Sequence, residues 1–146
     1  KAGADGFMPQ IGTLNGNPIA AVAGLATLEV LRRPGTYERL HATGNAIRSG
    51  LAQSLRDAGI AAVIKGEPIM FDAYFTDRAT INNYRETLDV NATRARRFNA
   101  LVRERGVLKG DSKVYISCAH DARDVSDSIA AFTAAAAILA EEKLAA

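Results

Sequence analysis

Apolar residues recur at steps of three and four in four stretches of the chain and cluster into short runs in three others, which predicts four helices and three strands. Residues 18–32 are apolar almost all round (Ile19, Val22, Leu25, Leu28, Val30, Leu31), the composition of a helix buried between other elements. Asn17 is a good N-cap for it, and Pro18 suits the first helical position, where a missing N–H costs nothing. Pro34-Gly35 then breaks the chain and Thr36 can cap a second helix over residues 37–58. Its stripe of Leu40, Ile47, Leu51 and Leu55, with Gly44 and Ala58 alongside, is one-sided, and Gly59 ends it.

Residues 61–65 and 69–75 predict two strands separated by the turn Gly66-Glu67-Pro68, and residues 76–90 are polar and irregular. Asn91 can cap a third helix to about Arg105, with Ala95, Phe98, Leu101 and Val102 inward and Gly106 as its stop. A strand over 114–117 leads to a fourth helix over 121–143, whose inward face is Val125, Ile129, Phe132, Ala136 and Leu139. The order predicts a small α+β domain, a short antiparallel sheet with helices on one face.

Composition narrows the function classes. The 146 residues suffice for one domain with a core, and a formal charge of +2 is too small to argue for nucleic acid or a membrane surface as partner. The Ala134–Ala137 run is too short for a membrane span and is followed by Glu141 and Glu142. With Cys118 the single cysteine, no intrachain disulfide can form, and two histidines beside it give no metal-ligand spacing, so no metal is expected. The chain opens on Lys1 and runs through Ala2-Gly3-Ala4-Asp5-Gly6 without periodicity, which reads as an excerpt of something longer.

Before the first helix lie Gly3, Gly6, Gly12 and Gly16 with Asn15 and Asn17, a loop composition that permits unusual backbone angles. Within Gly12-Thr13-Leu14-Asn15-Gly16-Asn17-Pro18, the glycines let backbone approach a ligand and Thr13 adds a hydroxyl beside its own N–H. A phosphate needs several such donors, and the following helix N-terminus adds positive potential. By composition alone this is a Gly-rich turn before a helix cap, and many such turns bind nothing.

The same residues carry a resemblance. Gln10-Ile11-Gly12-Thr13-Leu14-Asn15-Gly16-Asn17-Pro18-Ile19-Ala20, followed by Gly24-Leu25-Ala26-Thr27-Leu28, resembles the class III aminotransferase family of fold-type I pyridoxal phosphate enzymes, where a Gly-Thr pair precedes Asn-Pro and a buried helix. Phe75-Thr76, Asn82-Asn83-Tyr84 with Asp89, Glu104-Arg105-Gly106-Val107, and Ser117-Cys118-Ala119-His120 with Asp124-Val125 resemble, in order, segments of the glutamate-1-semialdehyde aminomutases. The resemblance covers nearly the whole chain. It implies that residues 1–34 are the end of the large cofactor domain and that residues 35–146 are the C-terminal small domain. It implies pyridoxal phosphate as cofactor, and Gly12 and Thr13 as cofactor-binding, with Thr13 reaching the phosphate of the neighbouring subunit of a cytoplasmic homodimer.

Family members hold the cofactor on a lysine well upstream of the Gly-Thr pair. Lys1 is too close to Thr13 to match it, and Lys65, Lys109 and Lys113 sit at strand or turn positions where solvent exposure is the default. No residue of this chain is therefore assigned a catalytic role, and the chain alone is expected to be inactive. The linker Leu108–Lys113 is shorter than its aminomutase counterpart, and the arginine with a following proline pair of many class III transaminases is absent, so the amino-acid or amine substrate stays open. A free-standing α+β module with a binding or assembly role is the reading from another class. His120 is expected to start the last helix or bond a nearby carbonyl, His41 to lie on the surface and Cys118 to be a small buried residue. Arg94, Arg96, Arg97, Arg103 and Arg105 are expected to form a solvated helix face. Asn83 and Tyr84 fit either a substrate-side position or loop packing.

Overall fold

The computed structural model describes residues 12–142; Gln10 and Ile11 of the resemblance lie outside them. The chain forms two compact units, Lys1–Thr36 and Tyr37–Ala146.

In the first unit, helix α1 spans Pro18–Leu31. Asn17 caps it as expected, its side chain accepting from the amides of Ile19 and Ala20 at 2.9 and 3.1 Å. α1 departs from expectation in its surroundings. It carries no buried residue, and Ile19, Val22 and Leu25 are 81, 65 and 63% exposed. Periodicity reports how apolar a helix is, not whether its covering partner belongs to the same chain. Helix α2, Thr36–Asp57, begins at Thr36 itself. The Thr36 hydroxyl donates back to the Val30 carbonyl at 3.1 Å, closing the end of α1.

The second unit is an antiparallel sheet of β1 (Val63–Glu67), β2 (Met70–Tyr74) and β3 (Val114–Tyr115), in the order β1-β2-β3. β1 and β2 form a tight hairpin, with Val63 opposite Tyr74 and Glu67 opposite Met70. Both strands form near their expected runs, but pairing shifts the ends by one to two residues: Gly66 and Glu67, expected in the turn, complete β1, and the turn is Pro68-Ile69. Helix α3 covers Ala92–Arg103 and α4 covers Ala122–Glu141. Asn91 caps α3 through the Arg94 amide at 2.8 Å, and a reciprocal Asp121–Asp124 box caps α4. The polar stretch before α3 holds one 3-10 turn, Tyr84–Thr87.

Alternation along β2 buries Phe71 and Ala73, and these pack with Ile47, Leu51 and Leu55 of α2, Phe98, Leu101 and Val102 of α3, and Phe132, Ala136 and Leu139 of α4. This is the expected α+β arrangement. Phe98 is central, its ring 5.5 Å from Phe75 and 6.3 Å from Phe132. Truncating such a side chain to alanine costs about 3–5 kcal/mol. Val125 and Ile129 are only partly buried, whereas Ala131 and Ala135 of α4 are buried. Gly44 is the close-approach position of α2, since a Cβ there would lie 2.1 Å from the Pro68 carbonyl oxygen.

Candidate functional site

The Gly12–Asn17 segment is a double turn. The Asn15 amide donates to the Gly12 carbonyl and the Asn17 amide to the Leu14 carbonyl, each at 3.1 Å. Gly16 takes φ +79°, which a side chain would resist. A Cβ on Gly12 would lie 2.7 Å from Asn15 Oδ1, a side-chain atom that can swing aside, so the Asn15 side chain packs over the Gly12 backbone without making glycine obligatory there. Gly12 and Thr13 are both exposed. Two of the first α1 amides are already taken by Asn17, and Pro18 has no N–H. The helix thus offers an anion its dipole and few donors, and a ligand here depends on the Thr13 hydroxyl and turn amides.

The other motif residues lie in the second unit. Asn83 accepts from the Glu86 amide at 3.2 Å and donates to its carboxylate at 2.8 Å, while the Asn82 amide donates to the same carboxylate at 2.7 Å. Those bonds fix the turn and leave Tyr84 76% exposed instead of packed in the loop. Asp89 bonds the Arg78 guanidinium, and that hydrogen bond holds its carboxyl below the usual range. His120 Nδ1 accepts from the Ser117 amide at 3.1 Å and lies 3.2 Å from the Ser117 hydroxyl and carbonyl oxygens, a local clasp at the start of α4. Cys118 is only partly buried and His41 is exposed.

Two expectations are corrected. Lys109 is not solvated. Its side chain is 3% exposed, with Nζ 3.1 Å from Asp72 Oδ1 and 3.3 Å from the Gly110 carbonyl. Asp72 stands opposite to Phe71 and Ala73 in the alternation of β2. The loop after α3 is stitched further by Arg103 Nη1 to the Lys109 carbonyl at 3.0 Å and Asn99 Nδ2 to the Asp111 carbonyl at 3.3 Å. Nor is the arginine cluster a plain solvated face. Arg97 grips Glu142 through Nε at 2.9 and 3.0 Å, and Arg105 donates to the Leu101 carbonyl at 2.8 Å. The Arg97 hydrogen bond lowers the Glu142 pKa. Lys65 and Lys113 are exposed, as expected.

Among the described residues, no helix is long and apolar enough to cross a membrane. No family model matches the chain. Solved structures do. An omega-transaminase from Sphaerobacter thermophilus is 25% identical, with a TM-score of 0.73 over 92% of this chain and 31% of its own. A transaminase with PLP bound is 23% identical, with a TM-score of 0.74 over 92% of this chain and 30% of its own. The PLP internal aldimine form of the Sphingopyxis sp. MTA144 FumI protein is 21% identical, with a TM-score of 0.71 over 90% of this chain and 29% of its own. The chain thus spans about a third of the length of the solved proteins it matches, and its α+β fold is the one that transaminases carry over that stretch.

Proposed function

We propose that this chain is the C-terminal part of a pyridoxal phosphate enzyme of the class III aminotransferase type, which moves an amino group between carbon centres. The observation that supports this best is the transaminase-like fold over 92% of the chain at 25% identity, joined to the Gly12-Thr13…Asn17-Pro18 segment at its start. The residues present fit a phosphate: an exposed threonine in a turn that carries Gly16 at positive φ, directly before a capped helix.

In this reading Thr13 gives its hydroxyl and amide to the phosphate held by a second subunit of a homodimer. The exposed apolar residues of α1 are covered by that subunit, and residues 35–146 form the small domain over the substrate side. Bound pyridoxal phosphate supplies the electron sink for amino transfer, while the protein supplies binding and orientation. We assign no residue of this chain the amine that holds the cofactor. Lys109, the buried lysine among the described residues, is committed to Asp72. The aminomutase form rests on the Asn82-Asn83-Tyr84 and Ser117–His120 matches; transamination of another amino acid or amine is the competing form, and the omega-transaminase neighbour favours it.

The test uses the parent polypeptide encoded by the reading frame that contains this chain. It should take up one pyridoxal phosphate per subunit by absorbance titration, and Thr13→Ala should weaken retention by about tenfold or more, the loss of a charge-assisted hydrogen bond. A parent that takes up no cofactor sinks the enzyme reading. Uptake with unchanged retention in Thr13→Ala removes Thr13 from the phosphate site. Assays with glutamate-1-semialdehyde alone and with amine–keto acid pairs separate the two forms.

A further inference from the structure

We infer that the free edge of β1 takes a further strand from the parent polypeptide, outside this chain, and that an aliphatic side chain of that strand fills a notch between the edge and α2. The inference rests on the reading that the chain is the C-terminal part of a longer polypeptide, and not on its cofactor or activity.

The sheet order leaves β1 unpaired on one side. Which backbone groups face that side follows from the hairpin. The Ile69 carbonyl accepts from the Ile116 amide at 3.0 Å, so Ile69, Phe71 and Ala73 face β3, and Met70, Asp72 and Tyr74 face β1. Their partners Glu67, Lys65 and Val63 point back at them, which leaves Ile64 and Gly66 directing amide and carbonyl to the open edge. The Arg48 side chain agrees, since its Nη1 donates to the Gly66 carbonyl at 3.1 Å. Ile64 has no such partner among the described residues.

Free edges are normally blunted by charge, side-chain caps or twisted backbone. The hairpin end of β1 has all of these, in Lys65, Glu67, the Arg48 contact and Gly66 at φ +122°. The other end, Ala61-Ala62-Val63-Ile64, has neither charge nor proline. Beside it lies the notch, about 260 Å³, with half-buried Ala52, Ala62 and Ile64 at its rim and Leu55 and Ile60 as its floor. Unpaired backbone beside an apolar hollow is the arrangement that accepts an added strand, with hydrogen bonds for the main chain and a pocket for one side chain.

Size selects the occupant. So short an edge and so small a notch cannot offset the freedom that a separate molecule loses on binding. A segment of the same polypeptide has already lost most of that freedom through its tether. The chain covers 31% of the omega-transaminase it matches, so on the proposed reading most of the parent lies outside it and can supply the strand.

The experiment is hydrogen–deuterium exchange of the parent, resolved to single residues by electron-transfer fragmentation. The Lys65 amide, already in the β1–β2 ladder, is the internal reference. The Ile64 amide should be slowed about a hundredfold or more, as Lys65 is, at every protein concentration. An Ile64 amide that exchanges freely beside a protected Lys65 overturns the proposal. Protection that fades on dilution assigns the edge to a second copy and overturns it too. Ala52→Glu puts a charge at the notch, so Ile64 exchange should quicken about tenfold or more with Lys65 unchanged; unaltered Ile64 exchange refutes the notch. Should the variant loosen Lys65 as well, its fold is lost and the wild-type measurement decides. Protected Ile64 in a parent that takes up no pyridoxal phosphate keeps this inference and sinks the enzyme reading, and free Ile64 in a parent that binds the cofactor does the reverse.

Discussion

The Lys109–Asp72 pair offers the most quantitative test of how the loop after α3 is held. Both groups are withdrawn from water, with side chains 3 and 13% exposed and 3.1 Å between Nζ and Oδ1. At an effective dielectric near 20, that separation is worth about 5 kcal/mol of gross attraction. Desolvation of two ions uses up several kcal/mol of the same order, so the intact pair is close to neutral against an apolar replacement. Removing one partner is different, because the other charge stays buried. Each keeps a single further bond, Lys109 to the Gly110 carbonyl at 3.3 Å and Asp72 to the Ala73 amide at 2.9 Å.

Lys109→Met keeps the aliphatic stem and strands the carboxylate. The usual cost of breaking a buried pair is about 3–5 kcal/mol, and partial rehydration of Asp72 favours the lower end. Asp72→Asn strands the ammonium at a similar cost. The double variant leaves no uncompensated charge, so it should be less destabilised than the sum of the singles by about 2 kcal/mol or more. Urea unfolding of the chain, followed by circular dichroism at neutral pH, measures all four species. Raising salt should erode the effect little, since the pair is shielded from counterions. A single-variant cost under about 1 kcal/mol, or strict additivity in the double variant, would refute the buried-pair account.

Two glycines of α2 should respond unequally to alanine. At Gly44 the added methyl meets the Pro68 backbone carbonyl at 2.1 Å, and at Gly50 it meets Ile129 Cγ1, a movable side-chain atom, at 2.5 Å. Alanine gains roughly 1 kcal/mol of helix propensity at both, against an overpacking cost of about 1–3 kcal/mol. Gly44→Ala should therefore lower the urea midpoint, and by more than Gly50→Ala; the reverse order would overturn the reading. The Glu142 carboxyl is held low by Arg97, so its contribution is complete above the ordinary carboxylate range and is lost as pH falls through the folded value. As pH falls below the ordinary carboxylate range, Arg97→Gln should lose stability less steeply than the wild type, and superimposable acid profiles would dismiss the pair. Asn17→Ala removes two amide bonds at the start of α1 and should cost about 1 kcal/mol of helix stability, read as faster amide exchange at Ile19 and Ala20.

What could be read from the sequence follows the range of the interaction. The stripe of Leu40, Ile47, Leu51 and Leu55 and the inward face of α3 repeat within a few residues, and both are buried as their spacing predicts. The caps at Asn17, Asn91 and Asp121 are equally local. Lys109 is expected to be solvated because a lysine in a linker usually is, and its partner lies on a distant strand. Arg97 and Glu142 are 45 residues apart, and no pattern in either neighbourhood names the other. Thr36 marked the right place for the wrong reason, since its hydroxyl closes α1 and does not cap α2.

Helix α1 is the element where composition and surroundings disagree most. Helices α2, α3 and α4 each turn an apolar face to the core of the second unit, and the burial of each face follows from its own period. α1 is apolar almost all round, yet every residue from Pro18 to Glu29 is exposed. A contiguous apolar surface of that kind is ordinarily covered by other protein. Thr13 lies five residues before its first turn, tied to it through the Asn17 cap. On the function proposed above, one docking event would cover α1 and carry Thr13 to the phosphate. Dimerisation and cofactor retention are then coupled, and substituting Val22 and Leu25 by aspartate in the parent should weaken both together. A monomeric double variant that still holds pyridoxal phosphate as tightly as the wild type would show that Thr13 serves its own subunit or none.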